Sequence, residues 1–262
     1  MGQYRGRHCR GVMLIGLVLL LGACETRSIS NSGYVGAGGY GGRSPFYRGE
    51  LTEFDLLGVD VSRPASDDEI AHALDQRQTV GVRRGDAIMV IQSGALIPDD
   101  AMVKELERYF SVMPFTGVTM LHDRPLYAAP GSALSATAAD ERVNNYARAL
   151  RLAAAKSGAD VIFCYWGMVE SAVEREPTKA VSWVPIVGSA IPDEAQVMRI
   201  RLKVALIDVR TGHWSMFVPA SYVDTSLSAS MTRAASDQRQ VETLKQQAYQ
   251  SAVEAFLAKY AG

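Results

Sequence analysis

Between Met198 and Leu206 apolar and polar residues alternate: Met198, Ile200, Leu202, Val204 and Leu206 on one side, Arg199, Arg201, Lys203 and Ala205 on the other. A period of two predicts a strand with one apolar face and one largely basic face. Thr211-Gly212 supplies a turn, and Trp214, Met216 and Val218 mark a further strand over 213–223. Upstream, the apolar run Ala87 to Ile91 predicts a buried strand, Gly117 to Leu121 a second, and the segment from Asp160 to about Val173 a third. Helical spacings separate them. Pro98 opens a helix with Met102, Val103, Leu106 and Phe110 on its inner side. Val143, Tyr146, Leu150 and Ala154 mark a long helix over 138–156, closed by Ser157-Gly158. Val241, Leu244, Ala248, Ala252 and Phe256 mark the last helix, over 236–260. Ahead of all these, Ser66-Asp67-Asp68-Glu69 reads as a capping box opening a short helix to about Arg77.

The resulting order is α-β-α-β-α-β-β-β-α. The βαβ units require parallel pairing and the later strands an antiparallel meander. The expected fold is therefore α/β (α+β): one mixed sheet over 86–262, with helices mainly on one face. An extension over 50–85 carries the short helix. Residues 24–49 are rich in glycine and serine and have no apolar period, which predicts a disordered, flexible tether. Within it Gly36, Gly38 and Gly41 fit G-x-G-x-x-G, but neither a strand before them nor a helix after them is predicted, so no dinucleotide site and no cofactor is expected.

Residues 1–23 have another character. Arg5, Arg7 and Arg10 precede an apolar run from Val12 to Leu21, too short to span a bilayer and of the right length for a secretory signal. Leu21-Gly22-Ala23-Cys24 resembles the bacterial lipobox. That resemblance implies cleavage before Cys24, which would then carry diacylglycerol and an amino-terminal acyl group. Several chains on one residue anchor stably where one does not. Glu25, in place of the aspartate that retains Gram-negative lipoproteins in the inner membrane, points to an outer-membrane anchor with the domain in the periplasm.

Charge and cysteines narrow the classes. The chain has 27 Lys and Arg against 28 Asp and Glu, and losing the three arginines of the signal moves the balance further negative. A nucleic-acid partner is not expected from such a chain. Cys9 leaves with the signal and Cys24 takes lipid, so Cys164, in the apolar run Val161 to Trp166, has no disulfide partner and reads as a packing residue.

The phrases "RLAAAKSGADVIFCYW" and "RIRLKVALIDVRTGHW" resemble the periplasmic α/β domains of the TolB amino-terminal, LpoB and curli-secretion (CsgG) group over about residues 86–262. The resemblance implies an envelope protein that assembles or docks with partners, and it transfers no catalytic residue. A long insertion over 175–196 departs from it. There Trp183, Pro185, Ile186 and Val187 lie in an apolar stretch that either packs on its own domain or meets the membrane or a neighbouring subunit.

Three readings follow. The first is a non-catalytic assembly or interaction module, bound to the membrane by its lipid and to an envelope partner or a second copy. The second is a periplasmic hydrolase with Ser93, His122 and Asp123 near one strand edge, although no G-x-S-x-G surrounds Ser93. The third is a secretion-channel subunit lending a hairpin to a shared barrel, which requires apolar alternation that Met168 to Glu174 lacks. A cleft uniting Ser93, His122 and Asp123 would favour the enzyme; a filled strand edge would favour the module. No metal-ligand spacing surrounds His72, His122 or His213.

Overall fold

A computed structural model describes residues 25–31, 47, 49–59, 64–118, 136–175, 194–228 and 233–261. In chain order the elements are β1 (Glu25–Ser28), a 3-10 turn (Ile29–Asn31), α1 (Glu53–Leu57), α2 (Asp67–Asp75), β2 (Ala87–Gln92), α3 (Asp100–Glu107), β3 (Ser111–Phe115) and α4 (Ala136–Ser157). They continue as β4 (Val161–Arg175), β5 (Glu194–Asp208), β6 (Trp214–Phe217), β7 (Tyr222–Ser228) and α5 (Arg233–Tyr260). One mixed sheet runs β3-β2-β4-β5-β6, with β1 added to β4 and β7 added to β5. The β3–β2–β4 pairs are parallel and the remaining pairs antiparallel.

The expected α/β fold with a single mixed sheet is what the chain adopts. Its layering is richer, because helices cover both faces. On one face Ile88, Val90, Phe163, Tyr165, Val204 and Leu206 pack against Met102 and Leu106 of α3 and the Val241–Phe256 stripe of α5. On the other, Met89, Ile91, Ile162, Cys164, Ala205 and Ile207 meet Leu56 of α1 and Leu150 and Ala154 of α4. The polar side of β5 explains the difference. Its basic run stops at Lys203, so Ala205 and Ile207 continue that face as a second apolar surface needing cover.

Three expectations are corrected. The second strand lies at 111–115 rather than 117–121; Gly117 and Val118 are irregular, and 119–121 fall outside the described residues. Pro114 makes that segment look unlike a strand. On the sheet's edge, opposite Val90, a missing N–H costs nothing on the outer side. The strand expected over 213–223 is two strands, β6 and β7, interrupted at 218–221 around Pro219, and the two pair with successive halves of β5. Finally, the tether expected over 24–49 contains an ordered start. Glu25–Ser28 lies antiparallel to Ser171–Met168 of β4. At fifteen residues β4 outruns β2, leaving unpaired backbone groups on its far half that a short polar strand satisfies.

The capping box at Ser66 forms as read: the Glu69 N–H donates to Ser66 Oγ at 3.2 Å and the Ser66 N–H to Glu69 Oε2 at 2.9 Å. Ile70 and Leu74 on α2 remain exposed. A second box, unread in the sequence, caps α1, where the Asp55 N–H donates to Thr52 Oγ1 at 3.1 Å and the Thr52 N–H to Asp55 Oδ2 at 3.0 Å. Because α1 buries Leu56, its cap is coupled to the fold. Thr52→Ala should lower stability in urea unfolding by about 1 kcal/mol; the same midpoint as the parent would show α1 to be held by packing alone.

Candidate functional site

The carboxyl ends of parallel strands are where α/β sheets usually place their sites. Here the end of β2, beside Tyr165 in β4, is filled. Ser93 is 1% exposed; its Oγ accepts from the Leu51 N–H at 2.8 Å, and its carbonyl accepts from Ser30 Oγ at 2.6 Å. Gln92 Nε2 donates to Ser30 Oγ at 3.0 Å, while Gln92 Oε1 accepts from Tyr165 OH and the Asp99 N–H, each at 2.7 Å. The Asp99 carboxylate in turn accepts from Tyr249 OH and from Lys245 Nζ at 2.8 Å. Burial pushes both tyrosine hydroxyls well above their usual range, which keeps them as neutral donors. The hydroxyl of Ser93 is thus a structural acceptor. His122 and Asp123, its expected companions, lie outside the described residues.

A cavity of about 460 Å³ opens instead between β1, the Tyr47–Glu50 segment and the middle of the β4–β5 pair. Trp166 forms part of its wall and is fixed by donating Nε1–H to the Leu51 carbonyl at 2.7 Å. Lys203, the cross-strand partner of Trp166, sits 4.9 Å from that ring's centroid and forms an ion pair with Glu53. A hydrogen bond from Lys203 is the main reason the Glu53 carboxyl lies below its usual value. Beyond the cavity the polar side of the sheet continues through Met168, Glu170, Arg199 and Arg201. Glu170 pairs with Arg199 and lies 3.5 Å from Arg201. This far half is open on that side: Met168 is 44% and Val223 59% exposed.

Glu50 is the unusual group of the cavity. One carboxylate oxygen accepts from Ser28 Oγ; the other, Oε2, is buried and has no hydrogen-bond partner of good geometry among the described residues. Burial raises its pKa above 4.5, opposed by the Ser28 and Ser93 hydroxyls and by the charge of Lys203. The folded chain therefore holds this proton to higher pH than the unfolded chain does. Stability is favoured while Glu50 is protonated and falls as pH rises from about 4.5 through the raised value. Glu50→Gln should flatten that fall and raise the melting temperature near neutral pH. A thermal-unfolding series from about pH 4 to pH 8 reads it, and a profile unchanged from the parent would contradict the assignment.

Of the other residues singled out in the sequence, Cys164 is fully buried, and burial pushes its thiol well up, as befits a packing residue. Leu21, Gly22, Ala23 and Cys24 lie outside the described residues, as do Gly36, Gly38 and Gly41 of the glycine run and Trp183, Pro185, Ile186 and Val187 of the insertion. Among the described residues no helix is long and apolar enough to cross a membrane, and no group of three His, Cys, Asp or Glu is arranged to hold a metal ion. Sequence reading missed Glu50 and Trp166. Their partners stand far away in the chain, and the sole local hint was the basic side of β5, where Lys203 lies.

None of the curated proteins compared with the chain matches it. Residues 52–259, from the cap of α1 to the end of α5, match the YafT bacterial lipoprotein family, and the chain belongs to that family.

Proposed function

We propose that the chain is an outer-membrane lipoprotein, cleaved after Leu21-Gly22-Ala23 and acylated at Cys24, whose α/β domain acts in the periplasm as a non-catalytic docking module. The observation that carries this reading is the pairing of β1. Glu25, covalently next to Cys24, is in register with Ser171 on the far half of β4. An anchor at residue 24 therefore joins the domain in the far half of the β4–β5 pair, one residue from β1. The open surface around Met168, Arg201 and Val223 lies on the same half. The filled edge at Ser93 favours docking over hydrolysis, because its hydroxyl is buried beneath the Leu51 backbone, from which it accepts. The partner is an envelope protein or a second copy of the chain.

The test is photo-crosslinking in intact envelopes. A photoreactive residue at Met168 or Val223 is expected to give adducts of discrete mass, and one at Leu152, exposed on α4, is expected to give none. Equal adducts from all three positions, or none from any, would contradict the assignment of the surface.

A further inference from the structure

Beside that open half, the cavity has the composition of a site for an amphiphile. Its volume of about 460 Å³ falls among those of small-molecule sites. Trp166, Met168, Leu202 and Val218 give it an apolar wall, while Arg201 and Lys203 stand at the same opening. The structure assigns this cavity, in our reading, to the acyl chain of an anionic amphiphile, with the chain against Trp166, Met168 and Val218 and the head group facing Arg201 and Lys203.

Three observations support the chemistry. Apolar wall and paired cations are what a single-chain anion requires: the methylenes gain by leaving water, and the charge stays at a polar rim. Arg201 is half exposed, and its link to Glu170 is long at 3.5 Å, so its guanidinium can take a carboxylate or phosphate without leaving a buried charge behind. Glu50 supplies the third. Its Oε2 is buried and has no hydrogen-bond partner of good geometry among the described residues, and when protonated it is a donor to an anionic oxygen. The source of such ligands rests on the reading of Cys24 as the lipid anchor. Thr26 and Ser28, which line the cavity, follow that cysteine by two and four residues, so the opening would stand at the membrane surface.

The test reads Trp166 directly. The mature acylated protein, with Trp183→Phe and Trp214→Phe leaving one tryptophan, is placed in zwitterionic nanodiscs and titrated with bromine-tagged dodecanoate. Saturable quenching is expected. Apparent affinity should fall about ten-fold for the bromine-tagged alcohol and about ten-fold in Arg201→Glu, as the loss of one charged contact predicts. Val218→Phe should also weaken binding by filling the cavity; Val218 is 63% exposed, so the fold tolerates the change. A bromine-tagged lysophosphatidate arm separates a lipid phosphate from a free carboxylate as the preferred head group, and saturable binding of either supports the site. Linear quenching alike in parent and variants, or equal affinity for the alcohol, would overturn it. The mass of the amino-terminal peptide from the same sample reads acylation separately. An unacylated peptide with saturable quenching overturns the anchor alone, and an acylated peptide with linear quenching overturns the cavity alone.

Discussion

Replacing Phe256 with alanine is expected to destabilise the domain by about 3–5 kcal/mol, the cost of emptying a large aromatic site in a packed core. Phe256 is fully buried on α5, with its ring centroid 5.2 Å from Phe110, 5.3 Å from Phe163 and 6.3 Å from Tyr260. Those contacts join α5 to the β2–α3–β3 unit and to β4, so no single element can shift to close the hole. In a domain of this size the loss corresponds to a fall in melting temperature of roughly 10 °C. Phe256→Leu, which keeps most of the volume, should lose less than half as much. Circular dichroism on the three proteins at one pH makes the comparison, and equal melting for parent and Phe256→Ala would mean that α5 packs elsewhere.

Gly117→Ala is expected to be comparably damaging, for a different reason. A Cβ there would stand 1.8 Å from the carbonyl oxygen of Gln92 and 2.6 Å from its carbon. These are backbone atoms, which cannot rotate away. The two segments are also tied by Gly94 N–H to the Gly117 carbonyl at 2.9 Å and Gly117 N–H to the Ala95 carbonyl at 2.8 Å. Overpacking of this kind costs about 3 kcal/mol where no flexible neighbour can give. Since Gln92 carries Tyr165 and Asp99, the urea midpoint and the near-ultraviolet tyrosine signal should change together. A midpoint shift within about 0.5 kcal/mol of the parent, the range of an ordinary surface change, would contradict the close approach.

What the sequence made legible follows from locality. The alternation in β5, the apolar run of β2 and the stripe of α5 each report burial within a single element, and those elements form where expected. Met198, Ile200, Leu202, Val204 and Leu206 are all buried, as are Val241, Leu244, Ala248, Ala252 and Phe256. Features set by distant neighbours were hidden. Glu25-Thr26-Arg27-Ser28 has no strand pattern of its own and becomes β1 because β4 offers an open edge. The Ser111–Phe115 segment is a strand despite Pro114 because it stands at the sheet's margin. The cavity joins Tyr47 and Glu50 to Trp166 and Lys203, a meeting across more than a hundred residues that no window along the chain contains.

The central claim is that the lipid anchor meets the domain at the far half of the β4–β5 pair. Single cysteines at Met168 and at Thr211, both exposed, mark the two ends. Arg201, opposite Met168, is seven strand residues from Asp208 at the turn carrying Thr211, a separation of roughly 24 Å. Cys164 is buried with its thiol pushed up, so it will not take the label. The measurement is quenching of a fluorophore at each position by spin-labelled lipids, with the acylated protein in bilayers. Strong quenching at Met168 and little at Thr211 is the predicted result; equal quenching, or the reverse order, would contradict the account.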